Sequence, residues 1–261
     1  GTHVSFWHLL GIKLAGESVN NVTPVSFMGG DPVRLYMMQK KMPAALSAAS
    51  VVLDRTIISL AVIPFVMLGL IVASFRLNLP SSWELAFPLL TLLMGALVWF
   101  FIHHQKKGLF DFLSRVLSSL GFKKHLAEEI QIKIEEIDTH IAQFYSHHPR
   151  RFLAVLFWHF MARLCGVFEI YLISLLLHIP LGLTGALLLA TLTILVNMVF
   201  VFIPGSLGVL EGAYGALFLV MGLNPAYGIG IQLVRRMRTI LWVFIGFLFM
   251  IPYWKFKKVI Q

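Results

Sequence analysis

The 261-residue chain is 58% hydrophobic and 13% charged, with a mean hydropathy of +0.84 and a formal net charge of +9. That balance excludes an ordinary soluble domain, and continuous apolar runs, in place of short alternating segments, exclude a β-barrel. The basic excess carries no nucleic-acid signature and fits the lysines and arginines that hold cytoplasmic loops of a polytopic helical membrane protein.

A hydrocarbon core about 30 Å thick needs about 20 apolar residues in helix. In chain order, the first apolar piece, 3–23, is short and carries Glu17, Asn20 and Asn21 into Pro24-Val25-Ser26. Gly29, Gly30, Asp31, Pro32 and Arg34 follow, opening a second short piece at 27–42. Proline lacks a donor and clashes with the preceding turn, and paired glycines permit a tight backbone, so a broken helix is expected here. Its unpaired amides and carbonyls are tolerable in a membrane only against protein or a water-filled cavity. A helix restarting after Gly30 would aim its positive N-terminus at a ligand, or at Asp31 itself.

Full spans are predicted at 48–75 and 84–103. The segment 104–150 differs: Phe122, Leu126, Ile130, Ile134, Ile137, Ile141 and Phe144 recur at steps of three and four with acids and lysines between them. This is an amphipathic helix, separated by Gly121 from a shorter one at 109–120 and expected to lie on the bilayer surface or against the bundle. His103, His104, His147 and His148 lack metal-ligand spacing and read as interfacial residues, so no metal or cofactor is expected. Spans resume at 151–178, where the single cysteine, Cys165, is expected as a small buried apolar residue, and at 183–203. Glu169, six residues from Arg163, needs a partner on another element and is a candidate cavity acid.

A second break follows at Pro204-Gly205-Ser206, preceded by Asn197 and followed by Gly208 and Glu211-Gly212. The piece 207–222 is again short, and the last span, 227–254, carries Arg235, Arg236 and Arg238. Residues 235 and 238 share a helix face, and 236 points elsewhere. Arg235 is therefore read into the cavity, with Arg236 or Arg238 in a structural pair. No nucleophile-base-acid set and no phosphate-cradling glycine loop is present, so neither catalysis nor an ATPase drive is expected of this chain. No signal peptide is visible; the start at Gly1 within hydrophobic sequence leads us to expect one or two preceding helices in the native protein.

Loop charge sets the orientation. Lysines and arginines crowd 104–150, the turn at Lys40-Lys41 and the C-terminal Lys255, Lys257 and Lys258, and are absent from 178–182 and 222–226. The positive-inside rule places 38–47, 104–150 and the C-terminus in the cytoplasm. Tracing the spans under that rule makes 27–42 and 207–222 re-entrant from opposite faces. The residues themselves support the pairing: Pro24, Asp31 and Arg55 are spaced like Pro204, Glu211 and Arg235, 180 positions on. Aligning 13–62 on 193–242 retains only Val19, Pro24, Ser26, Leu53 and Arg55, so the weight rests on which residues match. The expected architecture is one all-α transmembrane domain over 1–261. An inverted repeat, about 3–103 and about 151–254, flanks the cytoplasmic segment 104–150, and the hairpin tips meet at mid-membrane.

Buried arginines are costly unless paired or hydrated, and their planar fork suits phosphate. Asp31, Arg34, Arg55, Glu211 and Arg235 are thus the candidate substrate-binding residues, with Asn21, Pro24, Gly29, Gly30, Pro204, Gly205, Ser206 and Gly208 shaping the hairpins. The alternative is that Asp31 and Glu211 merely pair with Arg55 and Arg235 to lock the hairpins; the two roles can coexist.

The runs from Glu17-Ser18-Val19-Asn20-Asn21 through Pro24, Gly29-Gly30-Asp31 and Arg34 to Leu53-Asp54-Arg55, and from Ile203 to Gly212 with Arg235, resemble the flippase-like transmembrane family. This family is related to the membrane region of lysylphosphatidylglycerol synthase. The second motif is the more specific; the first has Gly-Asp-Pro-Val-Arg where many members place Glu-x-x-Arg. The resemblance implies a bacterial-type inner-membrane protein that moves a lipid between leaflets, with a membrane lipid and a lipid-modifying enzyme as the expected partners. It does not transfer the aminoacyl chemistry of the two-part synthases. The rival reading is a non-catalytic membrane scaffold or accessory subunit that presents lipid to a partner enzyme, for which 104–150 would be the sensitive region.

Overall fold

Eight α-helices and no strand make up the residues described by the computed structural model, which are 4–23, 29–76 and 128–255, with 89, 92–93 and 95–96. In chain order the helices are α1 (Phe6–Val22), α2 (Asp31–Gln39), α3 (Ala44–Arg76), α4 (Glu128–His147), α5 (Pro149–Leu176), α6 (Leu183–Val199), α7 (Val209–Val220) and α8 (Pro225–Lys255). A single 3-10 turn, Pro204–Ser206, separates α6 from α7. All the predicted apolar pieces within the described residues are helical, with ends shifted by a few residues. The predicted span 84–103 lies largely outside the described residues, as does the amphipathic segment before Glu128.

Among the described residues α3 and α5 are long and apolar enough to cross a membrane. Only 11% of the most apolar stretch of α5 is buried. A helix with Leu153, Phe157, Trp158 and Phe168 exposed along it is no soluble core helix; it requires an apolar surrounding. Cys165 corrects the expectation of burial: it is exposed. At 100° per residue it lies about 200° round α5 from Val167, which is buried, so the two occupy opposite faces.

The chain divides into two compact units, one of Gly1–Met42, Val72–Asn78 and Arg163–Gln261, the other of Pro43–Ile71 and Leu79–Ala162. In the second unit, Asp54 Oδ1 lies 3.5 Å from His159 Nε2, and the Phe65 and Phe160 rings meet edge to face at 6.3 Å. The amphipathic reading holds for the described end of α4, where Ile141 is buried and Glu136 exposed.

The first unit is organised on α8. Helix α1 runs antiparallel along the C-terminal half of α8: Gly11 faces Phe249, Gly246 faces Leu14 and Ser18, and the Ser18 hydroxyl donates to the Leu14 carbonyl at 2.9 Å. Helix α7 packs on the N-terminal half, where Gly228 lies against the Tyr214 carbonyl and the Phe218 ring. Helix α2 folds back on α1, burying Met37 with Ile12 and Ala15. With 17 and 9 residues, α1 and α2 rise about 25 Å and 14 Å, and α7, with 12, about 18 Å. The end of α1 and the turn after α6 therefore stop part-way along α8. They meet there: the Gly205 Cα carries an open position 3.7 Å from the Asn21 carbonyl and 3.9 Å from the Arg236 guanidinium.

A Cβ on Gly246 would stand 1.9 Å from Ser18 Oγ and 2.4 Å from the Leu14 carbonyl oxygen, so this glycine sets the separation of α1 and α8. We expect Gly246→Leu to lower stability by about 1–3 kcal/mol through overpacking. Gly230→Ala, with open space at its Cβ, should be neutral or stabilising by up to about 1 kcal/mol. Thermal unfolding of the detergent-solubilised protein distinguishes the two.

Candidate functional site: an arginine-lined cavity at the meeting of two helical hairpins

The first hairpin is held by charge and by one side-chain amide. Arg34, 3% exposed, forms an ion pair with Glu17 across the α1–α2 interface, and its other terminal nitrogen lies 3.6 Å from Asp31. The Gly30 amide donates to Asn20 Oδ1 at 2.7 Å. A side chain at Gly30 would strike the Gly16 carbonyl at 1.9 Å, so only glycine permits this approach. Asn21 Nδ2 donates to the Glu17 carbonyl at 2.8 Å. Pro24, with Val25 and Ser26, lies outside the described residues.

The second hairpin is built by backbone conformation. Gly205, Ser206 and Gly208 take positive φ of 55°, 46° and 80°. Glycine adopts this region readily, whereas serine is strained there. The Ser206 hydroxyl donates to Asn197 Oδ1 at 2.7 Å, which fixes the turn to the end of α6. Glu211 Oε2 accepts the Gly208 amide at 2.9 Å, so the acid predicted as a site residue also caps the restarted helix α7.

Three arginines one to three residues apart on α8 face these tips. Arg236 Nε donates to Glu211 Oε1 at 2.7 Å. Arg238 is bonded to Glu169 of α5, whose other oxygen lies 3.9 Å from Arg235 Nε. The Nη1 of Arg235 donates to the buried Tyr214 hydroxyl and, at 3.3 Å, to Thr193 Oγ1, and these two hydroxyls lie 2.8 Å apart. For Glu211 the pairing therefore differs from the locking alternative read in the sequence. Glu211 takes Arg236, one residue on from the spacing match, because at 100° per residue residue 236 turns toward the start of α7, where Glu211 sits, and Arg235 turns toward Tyr214 further along α7, Thr193 of α6 and Glu169 of α5. Glu169 does find its partner on another element.

A cavity of about 600 Å³ opens between the tips. Glu17, Asn20 and Asn21 reach it from α1, Thr193 and Asn197 from α6, and Gln232, Arg235, Arg236 and Arg238 from α8. Gln232 is 6% exposed, and its Oε1 accepts no hydrogen bond. Arg235 Nε and Glu169 Oε1 are likewise buried without a hydrogen bond. Unsatisfied polar atoms of this kind are expensive in an empty apolar site and are natural partners for a polar occupant.

Of the predicted substrate-binding residues, Arg235 lines this cavity and Glu211 holds its wall through Arg236. Asp31 and Arg34 belong to the α1–α2 clamp, and Arg55 belongs to the other unit. Gln232, Thr193 and Tyr214 were not singled out from the sequence. Gln232 had a readable signal, since it lies one turn before Arg235 and shares its helix face, as Thr239 does. Tyr214 had none, because its contact with Arg235 crosses between helices. Among the described residues no cluster of histidine, cysteine and acids suits a metal ion.

Exposed apolar helices around a half-buried ionic cluster define an α-helical membrane protein. The chain belongs to the family of the lysylphosphatidylglycerol synthase transmembrane region, whose sequence profile matches residues 1–246. It is similar to a UPF0104 membrane protein of Pyrococcus horikoshii, at 25% identity over 90% of this chain and 73% of that protein. A UPF0104 membrane protein of Methanothermobacter thermautotrophicus is 26% identical over 88% of this chain and 70% of its own length. No solved structure matches.

Glu17→Ala leaves the buried Arg34 without its close carboxylate. We expect a loss of up to about 3–5 kcal/mol, read as a lowered unfolding temperature in detergent, with Glu17→Asp recovering part of it.

Proposed function

We propose that this chain translocates a phosphate-bearing envelope lipid between leaflets. The two hairpins act as the re-entrant halves of an inverted repeat, and the cavity between their tips receives the headgroup. The observation that carries this reading is the unsatisfied polar surface of the cavity wall: Gln232 Oε1 and Arg235 Nε, buried and without hydrogen bonds. Charge points the same way. Arg235, Arg236 and Arg238 line the cavity, and the carboxylate that lines it with them, Glu17, is paired with Arg34, which leaves arginine in excess at the wall.

An anionic phosphate would complement that excess, with arginine supplying paired donors and Gln232 turning its amide to orient the headgroup. Glu169, bonded to Arg238 and loosely placed beside Arg235, would hold the arginines apart when no lipid is bound. Asp31 and Arg34 serve the site from a distance by fixing the α1–α2 hairpin against Glu17. In this reading the protein transports lipid without chemical conversion and sits in the cell membrane, with 104–150 and the C-terminus cytoplasmic as the loop charges assign.

The test is a leaflet-resolved assay with a fluorescent phosphate-bearing lipid and purified protein in vesicles. Arg235→Gln should abolish headgroup translocation, and Gln232→Leu should reduce it by roughly tenfold or more, with the fold intact by thermal unfolding. Unchanged translocation in folded Arg235→Gln protein would remove the assignment.

A further inference from the structure

At the opposite end of α1 from the cavity, the first unit carries a second pocket with a different character. It has a volume of about 990 Å³ and lies where the start of α1, the end of α2 and the end of α8 converge. Its apolar lining comes from the buried Ile12 and Met37 and from Phe249, Pro252 and Trp7, which are exposed. Basic and aromatic side chains join it. Lys40 Nζ sits 5.1 Å from the centre of the Tyr36 ring and 5.2 Å from that of Tyr253, so two π faces hold one ammonium. Lys41 lies beside it, and the Tyr253 hydroxyl meets His8 Nε2 at 2.9 Å. Among the described residues no aspartate or glutamate lines this pocket.

We infer that this pocket is a binding site for an anionic phospholipid, separate from the arginine-lined cavity. The apolar lining takes part of an acyl chain and Lys40 and Lys41 take the phosphate. Three features favour this occupant over a soluble anion or a neutral lipid. A free anion gains nothing from Ile12, Met37, Phe249 and Pro252, and burying an ion against them without its own apolar tail is unfavourable. A zwitterionic lipid offsets its phosphate with its own cation and gains less from two lysines that line one pocket. The same pocket also joins apolar side chains to lysine, tyrosine, histidine and tryptophan, the combination that a lipid's chain and headgroup together require.

The aromatic clamp gives the lipid a structural consequence. Tyr36 belongs to α2 and Tyr253 to α8, so a headgroup on Lys40 rests on the seam between the first hairpin and the central helix. Occupancy should therefore steady α2 against α8. The inference stands independently of the transport reading, because none of its residues lines the first cavity.

The experiment compares dioleoylphosphatidic acid with dioleoylphosphatidylcholine on the purified full chain in detergent, read by native mass spectrometry and by unfolding temperature. The wild type should retain phosphatidic acid in preference to phosphatidylcholine and unfold at a higher temperature with it. Lys40→Gln/Lys41→Gln, at two exposed positions, should lower that preference roughly tenfold, and Lys40→Arg/Lys41→Arg should keep it. Trp7→Ala should weaken retention of both lipids, and Gly230→Ala, at a position that lines neither pocket, should leave the preference intact. Equal retention of the two lipids by the wild type would overturn the site, as would an unchanged preference in the double glutamine variant. Millimolar inorganic phosphate that displaced phosphatidic acid completely would overturn the lipid as occupant. Loss of the preference in Arg235→Gln alone would move the binding to the other cavity.

Discussion

Three arginines within four residues of one helix, set among apolar side chains, impose the constraint on which the first unit depends. A guanidinium cannot shed its proton, so each must find an anion, a hydroxyl or water where the helix places it. Each lies on a different azimuth of α8. Arg236 therefore recruits Glu211 from the start of α7, and Arg238 and Arg235 converge on Glu169 of α5, with Thr193 and Tyr214 completing the shell of Arg235. Satisfying these groups ties α5, α6 and α7 to α8 through side-chain bonds and makes this stretch of the helix a polar junction.

The hairpins suit that junction because they end there. Short helices cannot cross a membrane, but they can deliver helix ends, with their unpaired backbone groups, to a polar interior. The two tips use different means. The α1–α2 tip is held by side chains, Asn20 on the Gly30 amide and Glu17 on Arg34. The α6–α7 tip is held by backbone in the left-handed region, with Glu211 serving both as cap and as counter-ion. One carboxylate thus ties the turn conformation to the charge of the cavity wall.

The two pockets of the first unit divide the physics of an amphiphile between them. The one at the tips is walled by arginines, amides and hydroxyls, several with hydrogen-bonding capacity unspent. The other joins apolar side chains to basic and aromatic ones. Helix α1 links them, bringing Glu17, Asn20 and Asn21 to the first and His8 and Ile12 to the second.

Much of this was legible without coordinates. Hydrophobic run length determined the helical membrane class and the position of nearly every described helix, because the hydrocarbon solvent leaves the backbone few alternatives. Proline, glycine and acid spacing located both breaks, and the charge of α8 marked it as the polar helix. Partner choice was not legible: the spacing match tied Glu211 to Arg235, and the fold gives Glu211 to Arg236. Which of two adjacent arginines meets an acid depends on helix rotation and on the neighbours that surround it, and these are set by packing between segments far apart in the chain. For the same reason the exposure of Cys165, the burial of Gln232 and the gathering of Tyr36, Lys40 and Tyr253 in one pocket were decided only by the tertiary structure.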